Sequence, residues 1–142
     1  MIDKIKGLGR VEQNLTIYID DNEPRGFALT YEDGGSTLGI DWENTFNRIV
    51  CQVRRESHKL LVLEFDSDNP GDIEFVTEEI DGVTYYFMFL PFSWEQTRKL
   101  IHDAYKYDIE CHIVDGDDIF KWTPIYGRIR RTTDITRTEA ES

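Results

Sequence analysis

From Leu60 to Thr97 the chain has no lysine, arginine or histidine. The same stretch carries nine carboxylates: Glu64, Asp66, Asp68, Asp72, Glu74, Glu78, Glu79, Asp81 and Glu95. A surface charged this one-sidedly repels nucleic acid and anionic membranes, and it attracts cations or basic proteins. Other absences narrow the field further. No run approaches the roughly 18–20 apolar residues of a membrane span. Met1-Ile2-Asp3-Lys4-Ile5-Lys6 lacks the apolar segment of a secretory signal, so none is expected. Two cysteines, Cys51 and Cys111, are too few for a disulfide framework, and a reducing cytoplasm is the expected setting.

What is present argues for a folded body. The 142 residues suffice for one domain with a sizeable core, and 39% hydrophobic with 13% aromatic content is too much for a disordered chain. The net charge of −12 is unevenly placed. Residues 1–127 hold 12 basic and 25 acidic groups, whereas Arg128, Arg130, Arg131 and Arg137 lie among only three acids. The expected organisation is a single acidic α+β domain over 1–131, followed by a loose polar tail over 132–142.

Periodicity suggests the elements. Leu15, Ile17 and Ile19 alternate with polar residues, as do Phe27, Leu29 and Tyr31, and both runs read as strands. Asp33-Gly34-Gly35 marks a turn into a short strand at 37–40. Asp41 looks like an N-cap, and Trp42, Phe46, Ile49, Val50 and Val53 fit one helix face, predicting a helix over 42–57. Leu60–Phe65 is apolar on both faces except at Glu64 and reads as a central strand. Ile73–Ile80 and Val83–Leu90 form a hairpin around Asp81-Gly82, a favoured type I′ pair, with the second strand apolar on both faces and central. Ser93-Trp94-Glu95-Gln96 is a capping box, and a helix over 94–107 would bury Trp94, Leu100, Ile101, Ala104 and Tyr105. Ile109, Cys111 and Ile113 alternate as a strand, and Ile119–Tyr126 follows, with Pro124 at an edge or bulge. The fold class is therefore α+β: a mostly antiparallel sheet of seven or eight strands with two helices packed on one face. The similar helix starts, Asp41-Trp42-Glu43-Asn44-Thr45 and Ser93-Trp94-Glu95-Gln96-Thr97, leave open a pseudo-symmetric pair of ββαβ units or a convergent cap pattern.

Catalytic signatures are missing. No Gly-x-Ser-x-Gly elbow or phosphate loop occurs, and no catalytic residue or cofactor is assigned. Asp66-x-Asp68-x-Pro70-Gly71-Asp72 resembles a calcium loop only in part. Its fifth position is Pro, and its twelfth is Thr77 rather than a bidentate Glu. His58, His102 and His112 have no paired ligand spacing with the cysteines, so no metal is expected.

The expected function is that of a non-enzymatic, cytoplasmic binding protein or inhibitor offering an acidic surface to a basic partner. Its sharpest form is a nucleic-acid mimic that blocks a nucleic-acid-binding enzyme. The composition resembles that of small acidic immunity and phage anti-defence proteins. The candidate partner-binding residues are Glu64, Asp66, Asp68, Asp72, Glu74, Glu78, Glu79 and Asp81, with Asp115, Asp117 and Asp118. No direct nucleic-acid or membrane contact is expected, and a homodimer is compatible with the sequence. The alternative is a small-ligand or nucleotide-binding domain with metal-dependent hydrolysis at the acidic loops, which would converge a few carboxylates on a pocket instead of displaying them outward.

Overall fold

The computed structural model describes Ile5 and residues 7–133. Strands account for 57% of these residues, so sheet packed on sheet, and not helix on sheet, closes the core. The strands are β1 (Val11–Glu12), β2 (Leu15–Tyr18), β3 (Arg25–Phe27), β4 (Thr30–Asp33), β5 (Ser36–Gly39), β6 (Arg48–Arg55), β7 (Leu61–Asp66), β8 (Glu74–Ile80), β9 (Val83–Leu90), β10 (Ala104–Asp115) and β11 (Asp118–Thr132). Two single-turn helices interrupt them, α1 (Trp42–Thr45) and α2 (Trp94–Thr97). The fold is thus mostly β with two short helices, in several sheets.

The large sheet is built from two hairpins side by side. β10 runs antiparallel to β11 on one side and to β6 on the other, and β7 pairs with the far side of β6. β1 and β2 both add in parallel to the outer edge of β11. A second sheet has the order β3-β9-β8, and β4 pairs with β5 alone.

Alternation decides which face of the large sheet is inside. Ile49, Cys51 and Val53 on β6, Leu63 and Phe65 on β7, and Tyr105, Tyr107, Ile109 and Cys111 on β10 are all buried. They meet Phe27, Met88, Leu90 and Phe92 from β3, β9 and the segment after it, in one core. The rings of Phe65 and Phe92 are edge to face at 5.0 Å, and those of Phe27 and Tyr107 are tilted at 6.3 Å. Such geometries favour the ring quadrupoles beyond simple burial. The Tyr107 hydroxyl, deep in this layer, donates to the Gln13 carbonyl at 2.5 Å and so ties β10 to the loop between β1 and β2.

β11 changes face midway. Ile109 pairs with Ile125 and Cys111 with Trp122, so Thr123 and Pro124 stand opposite Glu110 alone. This bulge lets Pro124 sit within a long strand, as the sequence suggests, because the ladder is already interrupted there. The bulge also flips the parity, so Phe120 and Trp122 before it and Ile125 and Ile129 after it all pack toward the core.

Both helix starts form as expected. Asp41 caps α1 by accepting from the Asn44 amide, and Ser93 and Gln96 make a reciprocal capping box at α2. Their lengths do not. The helices predicted over 42–57 and 94–107 each end after one turn, and β6 and β10 follow. The run Ile49-Val50-Cys51-Gln52-Val53 is rich in β-branched residues, which crowd a helix and suit a pleated sheet. Tyr105 to Ile113 alternates over nine residues, a stronger signal than the helical spacing of Leu100, Ile101 and Tyr105. In consequence Ile101 and Trp94 are 69% and 43% exposed, not buried, and Ala104 is exposed too. Trp94 lies under the Arg98 guanidinium, 5.2 Å from the ring centroid. The strand at 60–65 is found as β7, but at the edge of its sheet and not in the centre. The hairpin around Asp81-Gly82 forms as expected, with φ of 51° and 78° at those residues, and β9 is central in its sheet. Of the expected tail, Thr132 pairs with Tyr18 in β11, and residues 134–142 lie outside the described residues.

The two tryptophans at the helix starts should therefore respond differently. Trp42, 1% exposed and with its ring tilted against Phe46, should lose about 3–5 kcal/mol of stability on change to Ala. Trp42→Phe should cost much less, since the indole Nε1 is buried without a hydrogen-bond partner. Trp94→Ala should cost under about 1 kcal/mol, as a surface change. Denaturant unfolding of the three variants checks the ranking.

Candidate functional site

The eleven carboxylates singled out in the sequence fall into three groups. The first surrounds the loop after β7. Asp66 is buried, and its carboxylate takes a forked pair of hydrogen bonds from Arg48, one of them from Nε at 3.1 Å. It also accepts from the Asp68 amide at 3.0 Å, while the Asp66 amide donates to Asp72 Oδ2 at 3.1 Å. Asp68 lies 3.5 Å from Arg48 Nε. These side chains close their own loop. Glu64, exposed on β7, accepts from Gln52 Nε2 at 2.7 Å across the strand pair.

Arg48 and Asp66 set each other's charge state. The hydrogen bonds from Arg48 hold the Asp66 carboxyl below the usual carboxylate range, against the opposing effect of burial. The hydrogen bonds and charge of Asp66 in turn push the Arg48 guanidinium up.

The second group lines β8. Glu74, Glu78 and Glu79 are exposed along this strand, and Asp81 is exposed at the turn that follows. The three glutamates are held by the antiparallel ladder to β9, and none of the four makes an ion pair among the described residues. The third group sits at the tip of the β10–β11 hairpin, where Asp115 pairs in register with Asp118 and Asp117 occupies the turn. All three are exposed. The tip lies at the same end of the large sheet as the first group, because His112 pairs in register with Arg48 and Val50 with Asp66. β8 belongs to the other sheet. The cation-free stretch therefore contributes one loop tied to Arg48 from β6 and one open acidic strand.

The outward face of the large sheet is mixed in charge, and sequence reasoning missed it because a helix over 42–57 would have taken Arg48 and Gln52 out of line with the strand residues beside them. Arg48, Gln52, Glu64, Asp108, Glu110, His112 and Lys121 line a shallow groove of about 290 Å³ across β6, β7, β10 and β11. His112 Nε2 lies 2.6 Å from Glu110 Oε1. Partial desolvation on this face, and then the charge of the nearby Glu110, raise the Asp108 pKa from its ordinary value.

Both cysteines are shut away from solvent. Cys51 and Cys111 are free and buried, and burial pushes both thiols up. Among the described residues no three His, Cys, Asp or Glu side chains gather as a metal ion would need. No described helix is long and apolar enough to cross a membrane.

The strand read as apolar on both faces presents a further surface. β9 is apolar on both faces, but only Tyr86, Met88 and Leu90 reach the core. Val83, Tyr85, Phe87 and Phe89 point to the other side and are half-buried. Tyr85 to Phe87 and Phe87 to Phe89 are 6.4 Å and 6.0 Å apart, a ladder of three rings. Val76 and Ile80 on β8 flank it, 41% and 43% exposed.

No family model matches the chain, and no curated protein does. A solved structure described as "Crystal structure of DIP-gamma IG1+IG2" is similar at 12% identity and a TM-score of 0.30. The match covers 93% of this chain and 51% of that one, so the chain spans about half its length. A likeness this loose carries neither fold nor function.

The Arg48–Asp66 pair gives a pH test. A carboxyl whose folded pKa is depressed contributes stability above its unfolded pKa and loses it as pH falls through the folded value. Acid unfolding of the native chain should therefore steepen below about pH 4, the ordinary range of Asp. Asp66→Asn should remove that part of the acid sensitivity. At neutral pH it should cost on the order of 1–2 kcal/mol, discounted because Arg48 is open to solvent. Stability curves across the acid range check both.

Proposed function

We propose that the chain is a non-enzymatic binding protein that presents a rigid acidic surface to a basic protein partner. One observation carries this reading: the β8 hairpin holds Glu74, Glu78 and Glu79 exposed on a paired strand and Asp81 exposed at its turn, inside a segment with no cation of its own. Carboxylates fixed on a strand lose little conformational freedom on binding, and a field of one sign steers oppositely charged partners. Asp115, Asp117 and Asp118 extend the acidic display at the other sheet.

In its sharpest form the surface stands in for nucleic-acid charge and inhibits a nucleic-acid-binding enzyme, as immunity and anti-defence proteins of this composition would. A cytoplasmic setting suits two buried, unpaired thiols. The order of elements also favours a duplicated origin, since a hairpin, a single-turn helix with a Trp start and a second hairpin occur twice in succession.

A small-ligand reading has one observation in its favour, the groove around Asp108, Glu110 and His112. Metal-assisted hydrolysis at the acidic loops has less, because Asp66 and Asp72 are committed to Arg48 and to the loop backbone.

The acidic-surface reading has a kinetic signature. Association with basic nucleic-acid-binding proteins should be fast and should slow steeply as salt is raised through about 0.15 M. Neutralising the β8 hairpin (Glu74→Gln, Glu78→Gln, Glu79→Gln and Asp81→Asn together) should slow association by about tenfold with little change in melting temperature. Asp66 is left intact because its loss acts on the fold. Stopped-flow binding checks both, and a rate indifferent to salt and to these changes would refute the reading.

A further inference from the structure

The exposed side of the β8–β9 hairpin is more than acidic. Along β8 the outward side chains run Glu74, Val76, Glu78 and Ile80, so acid and apolar groups alternate on one face. Their cross-strand partners on β9 are Phe89, Phe87, Tyr85 and Val83. The apolar strip continues over β3, where the Phe89 ring covers Gly26: a Cβ there would come within 2.6 Å of it. None of the outward residues belongs to the core, whereas of their inward neighbours Met88 belongs to it and Phe75 and Tyr86 pack against it. β8 is also a free edge among the described residues, because its ladder bonds go to β9 alone. A contiguous apolar face beside an unpaired edge is what strand addition uses.

Charge selects the occupant. A second copy laid along β8 would bring the carboxylates of Glu74, Glu78, Glu79 and Asp81 from both chains together, with no cation anywhere from 60 to 97 to offset them. Like charges placed opposite one another destabilise a strand pair, and opposite charges stabilise it. We infer that this hairpin docks an extended, basic segment of another protein as a fourth strand on β8, with Lys or Arg side chains beside Glu74 and Glu78 and apolar side chains beside Val76 and Ile80. Backbone bonds to the free edge supply affinity, and the alternation of acid and apolar groups supplies register. The aromatic ladder offers ring faces to the aliphatic stems and charged heads of the incoming basic side chains. The inference rests on the acidic-surface reading and adds to it a location, a binding mode and a partner chemistry.

Two labelled peptides of equal length and charge separate the two ideas, one repeating Lys-Thr-Val-Thr and the other Lys-Thr-Ser-Thr, so that lysine alternates with valine or with serine on one face of the extended chain. Fluorescence anisotropy with the full chain should show both binding in a salt-dependent manner, with the lysine–valine peptide at least about tenfold tighter, the scale set by apolar anchors in an interface. Phe87→Ser should erase that preference. Val76→Ser, on the edge strand and further from the core, should reduce it in the same direction and serves if the first variant folds poorly. Backbone N-methylation of the lysine–valine peptide at every second residue should abolish binding in one frame and spare it in the other. Equal binding of the two peptides, or tolerance of N-methylation in both frames, overturns the docking inference and leaves the acidic surface standing. Failure of both peptides to bind overturns both. Self-association of the chain in sedimentation, lost in Phe87→Ser, would give the face to a second copy and overturn the inference as well.

Discussion

The antiparallel pairing of β6 with β10 is the constraint on which the other elements depend. Eight consecutive positions are in register, from Tyr105 opposite Arg55 to His112 opposite Arg48. Along both strands odd-numbered residues face the core and even-numbered residues face water. Val50 is the exception in kind, an apolar residue buried at 9% exposure on the polar side. A slip of one residue would turn Cys51, Val53, Tyr107 and Ile109 outward and bring Arg54, Lys106 and Asp108 into the core, so the register is sharply specified. β7 and β11 are the hairpin partners of these two strands and inherit that register. β1 and β2 then inherit it from β11. At Gly127 the backbone of this edge passes so close to Gln13 that a Cβ would collide with its carbonyl oxygen.

The same register disposes of the charge. It sets Arg48 beside the end of β7, where Asp66 is buried and Asp68 is near. A chain of net charge −12 thus uses one of its few body cations at the point where a carboxylate must leave water. An unpaired carboxylate there would be costly, whereas a forked guanidinium offsets much of that cost. On β8 nothing buries the carboxylates, so nothing in the fold requires a cation for them. Two acidic regions that look alike in sequence therefore differ in kind: one is part of the architecture and the other is free to meet a partner.

Local chemistry was legible, and the reach of each element was not. The caps at Asp41 and Ser93, the Asp81-Gly82 turn and the bulge at Pro124 depend on a few adjacent residues and could be read from them. The helices after those caps failed because single turns satisfy the same cap residues as long helices do. What ended α1 was tertiary: Phe46 packs on Trp42 and Trp122, and β6 is drawn into the ladder with β10. The Tyr105–Ile113 alternation is present in the sequence, but the capping box at Ser93 and Gln96 before it suggests a helix running into the same residues. Among the candidate carboxylates, the sequence could not separate Asp66 from Glu78, because the difference lies in Arg48, eighteen residues from Asp66 along the chain.

A strand that is apolar on both faces usually signals a central position with a layer above and below. Here β9 is central within its sheet, yet the described residues place a layer on one side only. The inner side meets the large sheet through Met88 and Leu90, and β5 crosses so closely that a Cβ at Gly39 would strike the Thr84 carbonyl oxygen. The outer side has Tyr85, Phe87 and Phe89, half-buried against one another and outside the core formed by the described residues. Polar residues at those positions would lower the cost of exposing that face without touching the core. Rings there are therefore not explained by the packing of the chain itself. Glutamates at alternate positions of the neighbouring edge strand, with no lysine among them, disfavour self-pairing while leaving the edge open to a strand that brings its own positive charge. Apolar face, free edge and one-sided charge thus meet on a single hairpin, and each restricts the kind of chain that can complete the sheet.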